Sequence, residues 1–151
     1  MQLARCLYFS RSVHVADDLA RQKLINGVAR QSQANNPSVG LTGVLTMSND
    51  AFLQVLEGPR AEISALIARL FADDRHSELV VAEIVPTGER LFGNWAMAPM
   101  LAAEDGALAF DYGALTRMGP GAMLKRIADI AANAPGSVLE DPVEDGDVLW
   151  I

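Results

Sequence analysis

The chain has almost no cysteine. Cys6 is the one such residue among 151. That excludes an intramolecular disulfide and any metal site built from several thiolates, and it fits a reducing compartment. No apolar run approaches the roughly 20 residues needed to span a bilayer. The opening residues Met1-Gln2-Leu3-Ala4-Arg5 lack the basic region and long apolar core of a secretory signal, and they enter a strand pattern at once. Positive charge is also short, with 12 Lys and Arg against 19 Asp and Glu and a net charge of -7. A balance of that sign argues against general attraction to nucleic acid or anionic lipid, while leaving room for a local basic pocket. The expectation is a cytoplasmic protein with no metal, no nucleic acid and no membrane among its partners.

Apolar side chains, by contrast, make up 50% of the sequence, enough for a core that needs no disulfides. The length fits one domain with a short appendage. Leu3 to Ser10 alternates as a strand. Asp17 or Asp18 can cap a helix carrying Ala20, Leu24, Ile25, Val28 and Ala29, which is expected to stop near Asn35-Asn36-Pro37. Leu41 to Met47 and Ala51 to Glu57 read as a hairpin around Ser48-Asn49-Asp50. Pro59 opens a second helix with the stripe Ile63, Leu66, Ile67, Leu70, Phe71. Leu79 to Val85 is a fourth strand, broken by Pro86 and Gly88. Trp95 to Ala98 is a short last strand ended by Pro99.

The order βαββαββ predicts an α+β, ferredoxin-like sheet with two helices on one face and the first and third strands as central neighbours. The other face would carry Leu3, Leu7, Phe9, Leu53 and Val55. So large an apolar face needs a cover. Helical segments around Tyr112 to Arg117 and after Gly119-Pro120, bearing Met123, Leu124, Ile127, Ala128, Ile130 and Ala131, are the candidates. This divides the chain into 1–100, a helical cap 101–135 and an acidic tail 136–151.

The segment Phe52-Leu53-Gln54-Val55-Leu56-Glu57-Gly58-Pro59 is the most informative. Its alternation puts Gln54 on the face of Phe52 and Leu56, and Leu53, Val55 and Glu57 on the other. A carboxamide among buried neighbours needs its donor and acceptor satisfied. Either a structural partner lies nearby, or the site holds a polar ligand. Tyr8, Ser32, Asn35, Asn36, Gln54, Arg75 and His76 are candidates to line a pocket between helices and sheet. Carboxamides there suit a planar heterocycle with amide-like edges, such as a flavin or a nucleobase.

The chain resembles the BLUF family, the blue-light sensors that use FAD. The matching stretches are Arg5-Cys6-Leu7-Tyr8-Phe9-Ser10, Asn35-Asn36-Pro37 leading to Gly40-Leu41-Thr42-Gly43-Val44-Leu45, the segment from Phe52 to Pro59, Asp74-Arg75-His76, and Arg90-Leu91-Phe92-Gly93-Asn94-Trp95-Ala96-Met97. They cover roughly Leu3 to Pro99, in order. The resemblance implies bound FAD, with FMN or riboflavin able to substitute. It implies that Tyr8 is the electron donor and Gln54 the amide whose hydrogen bonds reorganise in light. Ser32, Asn35, Asn36, Gln54, Arg75 and His76 would contact the flavin, and Trp95 and Met97 would relay the signal. It implies a photoreceptor rather than an enzyme, acting on a downstream protein partner or through a homo-oligomer, dimer or higher.

The chemistry is reasonable. An oxidised phenol becomes acidic, and an amide can take its proton on oxygen while donating from nitrogen. One rearranged hydrogen bond is worth about 0.5–1.5 kcal/mol, whereas throwing an equilibrium from 1:99 to 99:1 takes about 5.5 kcal/mol. A partial population shift is therefore expected, aided by repacking around Trp95 and Met97. Two other functions compete. An acylphosphatase-like hydrolase would use Arg11 near the end of the first strand, although the glycine-rich cradle such an enzyme needs is missing. A structural oligomerisation module would need no ligand at all.

Overall fold

The computed structural model describes residues 2–15, 17–93 and 98–133, with side chains described outside 31–37. Five strands form one sheet in the order β4-β1-β3-β2-β5. They are β1 (Leu3–Ser12), β2 (Thr42–Ser48), β3 (Ala51–Pro59), β4 (His76–Thr87) and β5 (Ala98–Leu101), with helices α1 (Asp18–Val39), α2 (Arg60–Phe71), α3 (Tyr112–Thr116) and α4 (Pro120–Ala132). This is the expected βαββαββ order, and β1 and β3 are central and antiparallel.

Local chemistry explains most boundaries. Asp17 accepts the Ala20 N–H at 2.8 Å and caps α1. Asn49 takes the left-handed conformation (φ 51°) in the β2–β3 turn, which asparagine tolerates. Pro120 opens α4 behind Gly119, where its missing N–H is harmless.

Four expectations are corrected. Helix α1 does not stop at Pro37 but runs to Val39, and Gly40, at φ 76°, supplies the left-handed residue that closes it. Strand β4 includes Pro86, and the last strand does not end at Pro99 but runs through Ala98–Leu101 with that proline inside it, while Trp95 to Met97 of the expected strand lie outside the described residues. Both prolines are tolerated because β4 and β5 are the sheet's edges. Phe71 is 65% exposed and does not join the buried stripe Ile63, Leu66, Ile67 and Leu70.

Strand alternation divides the core in two. On the α1–α2 face lie Ala4, Cys6, Tyr8, Leu45, Met47, Phe52 and Leu56 against Leu24, Ile25, Val28, Ile63, Leu66 and Leu70. On the other face Leu7, Phe9, Val44, Leu53 and Val55 meet Phe92, Phe110, Leu115, Met123, Ile127 and Ile130, so the expected helical cover is there. The cap is tied down at the β2–β3 turn. Ser48 Oγ donates to Ala103 O at 2.8 Å, Asn49 Nδ2 to Phe110 O at 2.8 Å, and the Tyr112 N–H to Asp50 Oδ1 at 2.8 Å. Tyr112 also stacks edge-on against Phe9, with ring centroids 5.4 Å apart.

Candidate functional site

Pairing of β1 with β3 sets Tyr8 directly opposite Gln54. Both side chains are 2% exposed, and the Tyr8 hydroxyl donates to Gln54 Oε1. Burial pushes the Tyr8 pKa well above its ordinary value. Cys6 and Asp73 add to that and Arg75 opposes it, so the phenol is neutral at any working pH. Cys6, two residues away on the same face and fully buried, is pushed up to about 12 by burial. A thiol held protonated in this way is no nucleophile.

Tyr8 faces a small cavity between α1, α2 and the sheet. Its lining is Tyr8, Ser10, Val28, Leu45, Phe52, Leu70, Asp73, Arg75 and His76, and it measures about 10 Å³. Tyr8, Arg75 and His76 thus come together as expected, and Gln54 joins through its bond to Tyr8. Backbone places Ser32, Asn35 and Asn36 on α1, but their side chains lie outside the described residues, as do Trp95 and Met97.

Two polar lining residues were not foreseen. Asp73 is 5% exposed at its side chain and holds Arg75 in a fork, with Nε to Oδ1 at 2.9 Å and Nη2 to Oδ2 at 2.5 Å. It also accepts the Arg75 N–H at 2.9 Å. Burial pushes the Asp73 carboxyl up, but the hydrogen bonds from Arg75 outweigh it and the net shift is downward. Ser10 is fully buried and its Oγ has no hydrogen-bond partner among the described residues. The signal was available for Ser10, which alternation puts on the face of Tyr8. Asp73 had no comparable mark, since its role depends on where the turn after α2 meets β1.

His76 packs edge-on against Phe52 with centroids 6.4 Å apart, and neither ring nitrogen has a partner among the described residues. Burial lowers its pKa and Arg75 adds to that, Asp73 and a contact with the Leu70 main chain too poorly aligned for a full hydrogen bond pull the other way, and the imidazole is held below the usual histidine value. A neutral imidazole offers one donor and one acceptor. Buried polar atoms without partners normally mark a ligand, a water or an ion. Ser10 and His76 therefore fit a ligand with both donors and acceptors at its edge, as an isoalloxazine has. The cavity they line is bounded by described side chains alone, and those of 31–37 on α1 lie outside them.

Arg11 is spoken for. It pairs with Asp50 and Glu78, each at 2.6 Å, and sits 4.3 Å from the Tyr112 ring centre. Nothing in this arrangement favours a phosphate-loop hydrolase. Among the described residues no helix is long and apolar enough to cross a membrane.

Residues 3–98 match the family model described as "BLUF: Sensors of blue-light using FAD". The chain is 30% identical over 95 residues to photoactivated adenylate cyclase subunit beta of Euglena gracilis, and 32% over 96 residues to the subunit alpha-like protein FB of the same organism. These stretches are 63% and 64% of this chain but 11% and 9% of those proteins, so it spans about a tenth of the length of these curated relatives. Among solved structures, the dark state of BlrB, a BLUF protein, superposes with TM-score 0.68 at 32% identity, covering 87% of this chain and 97% of that one. The photo-activated state of BlsA shares the fold, with TM-score 0.68 at 17% identity over 95% and 99% of the two chains. With the family model spanning most of the chain and a phenol–amide pair buried where the matching stretches meet, this protein belongs to the BLUF family of blue-light sensors.

Proposed function

We propose that this chain binds FAD noncovalently between α1 and α2 and works as a blue-light photoreceptor, with Tyr8 and Gln54 as its photoactive pair. The single observation that carries the reading is the buried hydrogen bond from the Tyr8 hydroxyl to Gln54 Oε1. Ser32, Asn35, Asn36, Arg75 and His76 would hold the ring, and Ser10, whose hydroxyl has no partner among the described residues, would join them. FMN or riboflavin would serve as well where only the ring is read. When bound, the flavin supplies an excited state that accepts one electron.

The protein's part is to move a proton. Tyr8, kept neutral by burial, would release the proton on its Oη to Gln54 Oε1, the atom to which it already donates. Gln54 would then rotate or tautomerise and offer a different set of hydrogen bonds. Asp73 holds Arg75 fixed beside the phenol, so that the charges near Tyr8 do not drift during the transfer. From there the change would pass through Trp95 and Met97 to β5 and the cap, within the divisions 1–100, 101–135 and 136–151. The output would be a protein partner or a change in a homo-oligomer, in the cytoplasm, without enzymatic activity in this segment.

Absorption spectra before and after blue light test this directly. The expected result is a yellow protein with a small, reversible red shift. A colourless protein that cannot be loaded with FAD removes the reading.

A further inference from the structure

After β4 the chain crosses the end of the sheet to reach β5 on the far edge, passing β1, β3 and β2 in turn. Each strand it passes takes hold of it. Arg5 on β1 donates to Thr87 Oγ1 at 3.2 Å and Glu89 O at 3.4 Å. Glu57 on β3 accepts the Leu91 N–H on Oε2 at 2.9 Å and the Phe92 N–H on Oε1 at 2.7 Å. Arg90 donates to Thr42 Oγ1 on β2 at 2.8 Å, to Glu57 O at 3.0 Å and to Gly40 O at 2.6 Å. Glu57 is the centre of the set. It is fully buried, stands opposite Arg5 in the β1–β3 register and accepts the Arg5 Nε–H at 3.0 Å. Its two oxygens clamp two consecutive main-chain donors, and Phe92 beyond them is planted in the outer core.

A buried carboxylate is costly unless every oxygen is engaged, and these engagements are charge-assisted. The position on β3 says more. Gln54 and Glu57 lie three residues apart on one strand, so they point to opposite faces. One strand carries the photoactive amide on its inner face and the anchor of the crossover on its outer face. The crossover is thus held at Leu91 and Phe92, and the described chain resumes in β5, whose parallel pairing with β2 is short.

We infer that Glu57 is a positioning residue: its clamp on Leu91 and Phe92 fixes the crossover ahead of β5, so that a rearrangement begun at Gln54 moves β5 and the cap rather than dissipating back towards β4. This rests on the photosensor reading above. Replacing the carboxylate by an amide, Glu57→Gln, keeps the size but turns one oxygen into an NH₂ group facing a main-chain N–H or Arg5, and breaks the clamp.

The test compares the FAD-loaded full chain with its Glu57→Gln variant in the dark and under blue light, by absorption and by amide hydrogen exchange. The variant is expected to keep the red shift, because Tyr8 and Gln54 lie on the other face. It is expected to lose the difference in exchange between light and dark across β5 and α4 that the wild type shows. A merely structural role would raise exchange equally in both conditions and leave that difference in place, which would overturn the inference. So would a wild type that shifts its spectrum with no exchange difference in β5 or α4. Should the variant fail to fold, the wild type still decides. The Leu91 and Phe92 amides must be protected in the dark and stay so under light, and loss of protection in either condition overturns the anchor. A wild type loaded with FAD that shows no red shift at all removes the photosensor reading and the relay with it, while protection of those two amides is read independently.

Discussion

The two faces of the one sheet are built on opposite rules. Towards α1 and α2, Tyr8, Ser10 and Gln54 interrupt an apolar surface, with Asp73, Arg75 and His76 closing over them. Towards α3 and α4, Leu7, Phe9, Val44, Leu53 and Val55 meet apolar partners, and the buried polar residues among them, Thr46, Ser48 and Glu57, are each engaged with main chain. Adjacent residues of the same strands supply both. Polar groups on the inner face cost stability unless they are paired, and Ser10 and His76, without partners among the described residues, leave room there for a ligand's donors and acceptors. The outer face, closely packed, stabilises the fold and resists small displacements. On the proposed reading, a protein responding to a shift of one hydrogen bond gains from having both in the same strands, since a change at one face would be felt at the other.

Substitutions on the two faces should therefore fail in different ways. The largest effect is expected for Tyr8→Phe. The light-induced red shift should vanish while flavin stays bound and the melting temperature hardly moves, and an unchanged photocycle would contradict Tyr8 as donor. On the other face Ile127→Ala should cost about 2–5 kcal/mol in urea unfolding, the range for emptying a buried branched site, with the colour retained under native conditions. Loss of less than about 1 kcal/mol would mean that the cap packs more loosely than its burial indicates.

A subtler test uses pH. His76 is held below the ordinary histidine pKa, chiefly by burial. Folded protein thus takes up the proton at lower pH than unfolded chain. Its contribution to stability is complete above about pH 6.5 and falls as pH drops towards the folded value. Between about pH 7.5 and 5.5, the urea midpoint of the wild type should fall by more than that of His76→Gln. Equal slopes would show an imidazole that titrates freely. The smallest effect belongs to neither face. Lys125 pairs with Asp129 at 2.7 Å on the exposed side of α4, and Lys125→Ala should change stability by no more than about 0.5 kcal/mol.

Much of this was legible from short-range pattern. Alternation alone put Tyr8 and Gln54 on one face, and the central pairing of β1 with β3 made them neighbours. The covered outer face followed from Leu7, Phe9, Leu53 and Val55. The misses share a cause, which is that their reasons lie far away in sequence. Pro99 ends a strand only if both sides of that strand need donors, and at an edge one side does not. Phe71 continues a helical stripe past the point where there is sheet beneath it. Pro37 lacks an N–H, yet the turn that ends α1 is made by Gly40. Glu57 could have been flagged by the argument applied to Gln54, because alternation set it on an apolar face as well. That it serves the crossover, and not a ligand, depends on the main-chain N–H groups of Leu91 and Phe92 some 34 and 35 residues on.

Pro99 has one more consequence. The Ala102 N–H reaches Met47 O on β2, so by alternation the nitrogen of Pro99, three residues earlier, is turned to the open side. A strand from another molecule docking there would find a ring where it needs a proton to accept. Lateral growth of the sheet past β5 is thereby discouraged, and an added strand would have only the β4 edge to pair with.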